Sequence, residues 1–167
     1  MRSERSRSSS GTTLEPSLVK FCHFPKSTNI FASLSNSENI EIGMIEPKTK
    51  QIVSIYDKSD KPISHTRYVN DIDWSPRNAD KQRLASVCRD SSLRIWALRE
   101  SSVFLQDKRN TVSQAEKVRW DPTESSHLAM VIDRRLKFYD TRKKQFDTFK
   151  EWIYLYWAGN NSIIVSY

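Results

Sequence analysis

Residues 65–96 hold three short runs joined by two polar turns, and the rest of the chain repeats this arrangement. The first run is residues 68–74 (YVNDIDW), the second 84–88 (LASVC) and the third 93–96 (LRIW). Ser75-Pro76 follows the first, and Arg89-Asp90-Ser91-Ser92 joins the second to the third. Runs this short, the first of them alternating apolar and polar residues, bounded by turn residues, are the pattern of strands rather than helices. Three such strands joined by tight turns make an antiparallel meander, so the expectation is an all-β chain.

The residues of this segment resemble the WD40-repeat family at fixed offsets: His65, Val69, Trp74, Ser75, Pro76, Leu84, Ala85, Ser86, Asp90, Arg94, Ile95 and Trp96. They depart from it where Ser64, Val87 and Ala97 replace a Gly, a Gly and an Asp. The resemblance implies a β-propeller. Independently of the family, an Asp in a turn needs donors, a His on an entering loop can supply one, and a Ser hydroxyl and Trp indole can extend the chain. His65, Ser86, Asp90 and Trp96 are therefore expected to form a structural network pinning loop to sheet. The plainer alternative leaves His65 as a solvated loop residue.

The neighbouring segments repeat the pattern. Residues 18–24, 30–34, 39–45 and 51–56 form a divergent first repeat in which Phe24 aligns with Trp74. The second closes with residues 102–105, a polar linker covers 106–114, and a third uses 115–120, 127–131, 135–140 and 145–149. Asp133 stands near the turn position of Asp90, but no His precedes it in the linker, so the third repeat should lack the full network. Residues 152–157 and 163–166 begin a fourth. The aromatic anchors Phe24, Trp74, Trp120 and Trp157 are expected in the core. The expectation is thus about three and a half blades, at about 18–60, 65–106, 112–150 and, in part, 152–167. Propellers close with about four to eight blades. The ring should accordingly be incomplete, implying a fragment, a truncated product or a ring finished by another chain.

Residues 1–17 have almost nothing to bury and carry three Arg-Ser pairs, so a disordered Arg/Ser tail is expected. Its serines offer phosphorylation sites, against the simpler reading of a solvated chain start. The remaining 150 or so residues suit one domain, and 37% hydrophobic and 11% aromatic residues suffice for a core. The net charge of +7 favours acidic partners or nucleic acid. The two cysteines, Cys22 and Cys88, lie in expected strands apart from any Cys/His cluster, so neither a disulfide framework nor a metal site is expected, and an intracellular compartment fits. No apolar run approaches the roughly 18 residues of a membrane span.

Chemistry offers little else. No phosphate-cradling glycine loop, zinc-protease helix motif or nucleophile elbow is present, so no catalytic residue, cofactor or small-molecule substrate is expected. The expected function is a non-catalytic scaffold holding protein partners in a multisubunit complex. Residues 93–109, 118–130 and 133–142 are similar to the early blades of the third subunit of the THO messenger-RNA export complex, which implies nuclear RNA handling. Residues 136–142 look like the box by which some propellers dock to a cullin-RING ubiquitin ligase adaptor, with Tyr139, Asp140 and Arg142 as contacts and Tyr139 in place of Trp. The same residues also serve as an ordinary strand and turn. Direct RNA contact through Arg135, Lys137, Lys143 and Lys144 is the third alternative. Alternation puts Arg135, Lys137 and Tyr139 on one face of their strand.

Overall fold

The computed structural model describes residues 17–24, 28–35, 38–55, 63–76, 82–99 and 102–147. The expected tail up to residue 16 and the fourth repeat with Trp157 lie outside the described residues. Thirteen strands form three antiparallel sheets, and no helix occurs among the described residues. The chain is all-β, as the period-two runs imply.

The first sheet is ordered β1 (Leu18–Phe21), β2 (Ile30–Leu34), β3 (Asn39–Ile45) and β4 (Ile52–Ile55), and a short β5 (Ile63–Ser64) pairs with the start of β3. The second runs β6 (Val69–Trp74), β7 (Arg83–Cys88), β8 (Ser92–Arg99) and β9 (Ser102–Asn110). The third runs β10 (Ala115–Trp120), β11 (His127–Ile132), β12 (Arg135–Asp140) and β13 (Gln145–Asp147). Each is a consecutive meander, the topology of a propeller blade.

The sheets lie side by side. Their first strands neighbour one another, β1 beside β6 and β6 beside β10. One apolar layer joins Ile30, Ala32, Ile40 and Ile42 of the first sheet to Ile72, Trp74, Leu84 and Trp96 of the second. A second layer joins Ala85, Val87, Leu93 and Ile95 to Val118, Trp120, Leu128, Met130 and Tyr139 of the third. The second sheet is thus covered on both faces, and all six residues of β7 are buried. That explains why residues 84–88 read as a nearly continuous apolar run instead of alternating.

Two expectations about strand limits are corrected. The polar residues taken as a linker from 106 continue β9 as far as Asn110, because one side of this outer strand faces solvent and needs no apolar residues. The register also moves the first anchor. The amides of Cys22, Ser75 and Asp121 bond to the carbonyls of Ile30, Arg83 and His127. Phe21, Trp74 and Trp120 are therefore equivalent, and Phe24 lies three residues beyond the anchor position. Trp74 and Trp120 are buried, whereas Phe21 is half exposed and tilted against Phe31 at 5.9 Å. The Phe31 ring lies over Gly43 directly across the β2–β3 pair, where a side chain would meet it at 2.6 Å.

Candidate functional site

The structure brings His65, Ser86, Asp90 and Trp96 together. His65 follows β5, whose pairing with β3 belongs to the first sheet, and its amide bonds to the Glu38 carbonyl at 2.8 Å. Its side chain reaches into the second sheet. There the Trp96 indole donates to the Ser86 oxygen at 2.9 Å, and that hydroxyl sits 2.7 Å from His65 Nε2. His65 Nδ1 lies 3.4 Å from both Asp90 carboxylate oxygens and 3.2 Å from the Ser92 hydroxyl.

One proton arrangement satisfies all of these contacts. Asp90 as a carboxylate only accepts, so Nδ1 carries the hydrogen and Nε2 accepts from Ser86. Burial, reinforced by the Arg94 charge, pushes His65 down to about 4, so the ring is neutral at neutral pH. Burial opposes charge on Asp90 too. There, bonds from the Ser92 hydroxyl and from the amide and hydroxyl of Thr66 outweigh it and hold the carboxyl below its ordinary range. Arg94 adds a contact to Asp90 at 3.4 Å. The result is a closed set of hydrogen bonds between two sheets, with no accessible nucleophile at its centre.

Cys88 joins this cluster, which corrects its expected isolation. Its sulfur, His65 and Asp90 place potential ligand atoms within 4.8 Å of one another. The thiol donates to the Arg67 carbonyl at 2.9 Å, and burial pushes it up to about 11. With Arg94 against Asp90, the donor set suits hydrogen bonding rather than a cation.

The remaining candidates are divided between core and surface. Tyr139 is fully buried, with its hydroxyl donating to Asp107 at 2.7 Å and accepting from Arg109 at 2.8 Å. Burial, then the Asp107 bond, pushes it up to about 12. Alternation places it on the side of Arg135 and Lys137, but β9 and the Phe146 ring cover it, so it has no open face for a base. Asp140 is also buried, and its Oδ1 accepts the amides of Arg142 and Lys143 in a tight turn. Arg142 is exposed and pairs with Glu124 at 3.3 Å. Arg135, Lys137, Lys143 and Lys144 are all exposed. Asp133 accepts from Ser113 at 2.5 Å, and no His reaches it among the described residues.

A second polar group was not foreseen. Asp71 and Asp73 on β6 face β10, where Asp71 accepts the Val118 amide at 3.1 Å and an Arg119 guanidinium bond. Asp73 accepts the Trp120 amide at 2.9 Å, and Asn70 donates to the Ala115 carbonyl at 2.8 Å. These side chains satisfy the free edge of the neighbouring sheet's first strand. Burial pushes Asp73 up to about 6 against the opposing Trp120 bond and Arg119 charge. The signal was the pattern Asn-Asp-x-Asp within an otherwise apolar strand, answered by Arg119 at the matching place in the next repeat.

No family model matches the chain. Among curated proteins it is similar to Protein transport protein SEC13 of Phaeosphaeria nodorum, 38% identical over 56 residues. The match covers 34% of this chain and 17% of that protein, so it spans well under two thirds of the relative. SEC13 is a WD40-repeat protein, and its similarity, beside three antiparallel meanders, supports the WD40-repeat family for this chain.

Proposed function

We propose that this chain is a non-catalytic scaffold that holds protein partners in a multisubunit assembly. The observation that carries this reading is that the His, Ser and Asp constellation around His65, whose residue types could be reactive, is closed on itself. His65, Ser86, Asp90 and Trp96 satisfy one another between two sheets. A rigid set of blades presenting turns is suited to holding partners, and the similarity to a WD40-repeat protein points the same way.

The cellular setting belongs to the same proposal. The Arg-Ser pairs, the charge of +7 and the resemblance to the messenger-RNA export subunit favour a nuclear assembly handling RNA. The relative's name, a protein transport protein, favours a transport assembly as the second setting. Ligase-adaptor docking through residues 139–142 is supported less, because only Arg142 of the three expected contacts is exposed. Direct RNA contact retains four exposed cations, Arg135, Lys137, Lys143 and Lys144, without an open tyrosine among them.

Affinity purification of the tagged full chain after nuclease treatment tests the scaffold reading. Fixed stoichiometric protein partners, with a light-scattering mass well above the chain's 19.5 kDa, are expected. Partners lost on nuclease treatment indicate RNA tethering, and a lone chain contradicts scaffolding altogether.

A further inference from the structure

A groove of about 460 Å³ runs between the loop after β9 and the outer half of the third sheet. Val112, Ile132 and Phe146 give it an apolar lining, and Arg135 and Lys137 stand along one wall. Val112 is 99% exposed and Phe146 37%.

The exposure of Val112 is imposed by its neighbours. Thr111 is buried, its amide bonds to the Ser91 carbonyl at 2.8 Å, and its hydroxyl donates to the Ser113 carbonyl at 2.6 Å. Ser113 in turn donates to Asp133 at 2.5 Å. The loop tip is tied on both sides, so the valine stays at the mouth of the groove. Asp133, the carboxylate on the lining, is already engaged by Ser113. Arg135 and Lys137 are exposed on β12, and among the described residues neither has an ion-pair partner.

We propose that this groove docks an extended peptide segment of a partner protein, in which carboxylates at alternate positions flank apolar side chains. This rests on the scaffold reading and assigns it a surface. Arg135 and Lys137 are two residues apart on a strand, which separates them by about 7 Å. Side chains at alternate positions of an extended peptide have the same spacing and share a face. The carboxylates then meet the two cations on the sheet wall, which Ile132 and Phe146 share, while the intervening apolar residues turn to the loop wall, where Val112 stands. A nucleic acid fits less well, because it carries a charge on every nucleotide and needs a basic track with open aromatic platforms. Here the lining is apolar and Tyr139 is covered.

Fluorescence anisotropy on the full chain tests the assignment, with fluorescein-labelled GSDLEFGS as probe and GSKLKFGS as its charge-reversed control. The acidic peptide is expected to bind saturably, the basic one not to bind, and oligo(U) not to compete. Arg135→Glu with Lys137→Glu, and separately Val112→Asp, should each weaken binding about tenfold or more. These positions are exposed, and unchanged thermal unfolding by circular dichroism will show that the variants fold. No binding by the unaltered chain, equal binding by the variants, or displacement of the peptide by oligo(U) overturns the proposal. If the peptide fails while nuclease-resistant partners still co-purify, the groove assignment falls and the scaffold stands. If no partner co-purifies with the unaltered chain, the scaffold itself falls.

Discussion

The indole of Trp120 donates to the main-chain carbonyl of Asp73 at 3.1 Å, and the Asp73 carboxylate accepts the Trp120 amide at 2.9 Å. One repeat earlier the Trp74 indole makes the equivalent bond to the Lys20 carbonyl at 2.9 Å. Each anchor tryptophan thus does two things. It fills an apolar layer, and it ties the first strand of its own sheet to that of the preceding one. In the first sheet Phe21 holds this position and has no N–H to donate.

Replacing Trp120 with Phe keeps most of the apolar volume and removes the donor. The Asp73 carbonyl then loses a buried partner, which should cost about 1–2 kcal/mol. Urea denaturation measures it, and an unchanged midpoint would mean that the indole bond contributes nothing.

Asp90 and Asp133 occupy corresponding turns, but their surroundings differ. Asp90→Ala strands donors of His65, Thr66 and Ser92 and should cost about 1–3 kcal/mol. Asp133→Ala loses a bond to Ser113 on an exposed turn and should cost clearly less. Equal shifts in denaturant midpoint would contradict a network centred on Asp90.

Arg119 lies against Asp71, which is fully buried. Arg119→Ala leaves that carboxylate without its countercharge and should cost about 3 kcal/mol. Adding Asp71→Asn should restore part of the loss, since the charge that needed compensation is gone. A double-mutant cycle reads the coupling, and strictly additive losses would show that the two groups do not act as a pair.

Two buried groups give opposite responses to acid. His65 has an ordinary value of 6.5 and is held at about 4 in the fold, so between those pH values the unfolded chain binds a proton that the folded chain refuses. Stability falls as pH drops through that window. Asp73 has an ordinary value of 3.8 and is raised to about 6, so the folded chain holds the extra proton and stability rises as pH drops from 6 toward 3.8. The two partly offset. Asp73→Asn should therefore make stability fall more steeply between pH 6.5 and 4 than it does in the unaltered chain. Matching slopes in urea titrations would refute the opposition.

What could be read from the residues divides by physical cause. The meanders and the His65 to Trp96 network were legible because tight turns fix offsets within one repeat, so spacing reports contact. Phe24 packs against the first core layer as expected, but its alignment misled because the Phe-Pro dipeptide imitates Trp-Ser-Pro, while the register is set by backbone bonds that put Phe21 at the anchor. Asp71, Asp73 and Arg119 escaped notice because charges alternating along a strand normally mark a solvated face. Each finds its partner in the neighbouring repeat, a contact that spacing within one repeat does not encode. Tyr139 shares its strand face with Arg135 and Lys137, but besides Phe146 of the next strand its cover comes from Asp107 and Arg109 of β9, in the preceding repeat.

Hydrogen exchange of the tryptophan side chains, followed by NMR on chain labelled with ¹⁵N-tryptophan, tests the interlocked platform most directly. The chain has five tryptophans, and single Phe replacements assign each indole signal. The indoles of Trp74, Trp96 and Trp120 each donate to a named oxygen, of Lys20, Ser86 and Asp73. All three should exchange slowly, and Ser86→Ala should release Trp96 while leaving Trp74 and Trp120 protected. Rapid exchange at all three in the unaltered chain would show that the sheets are not joined in this way.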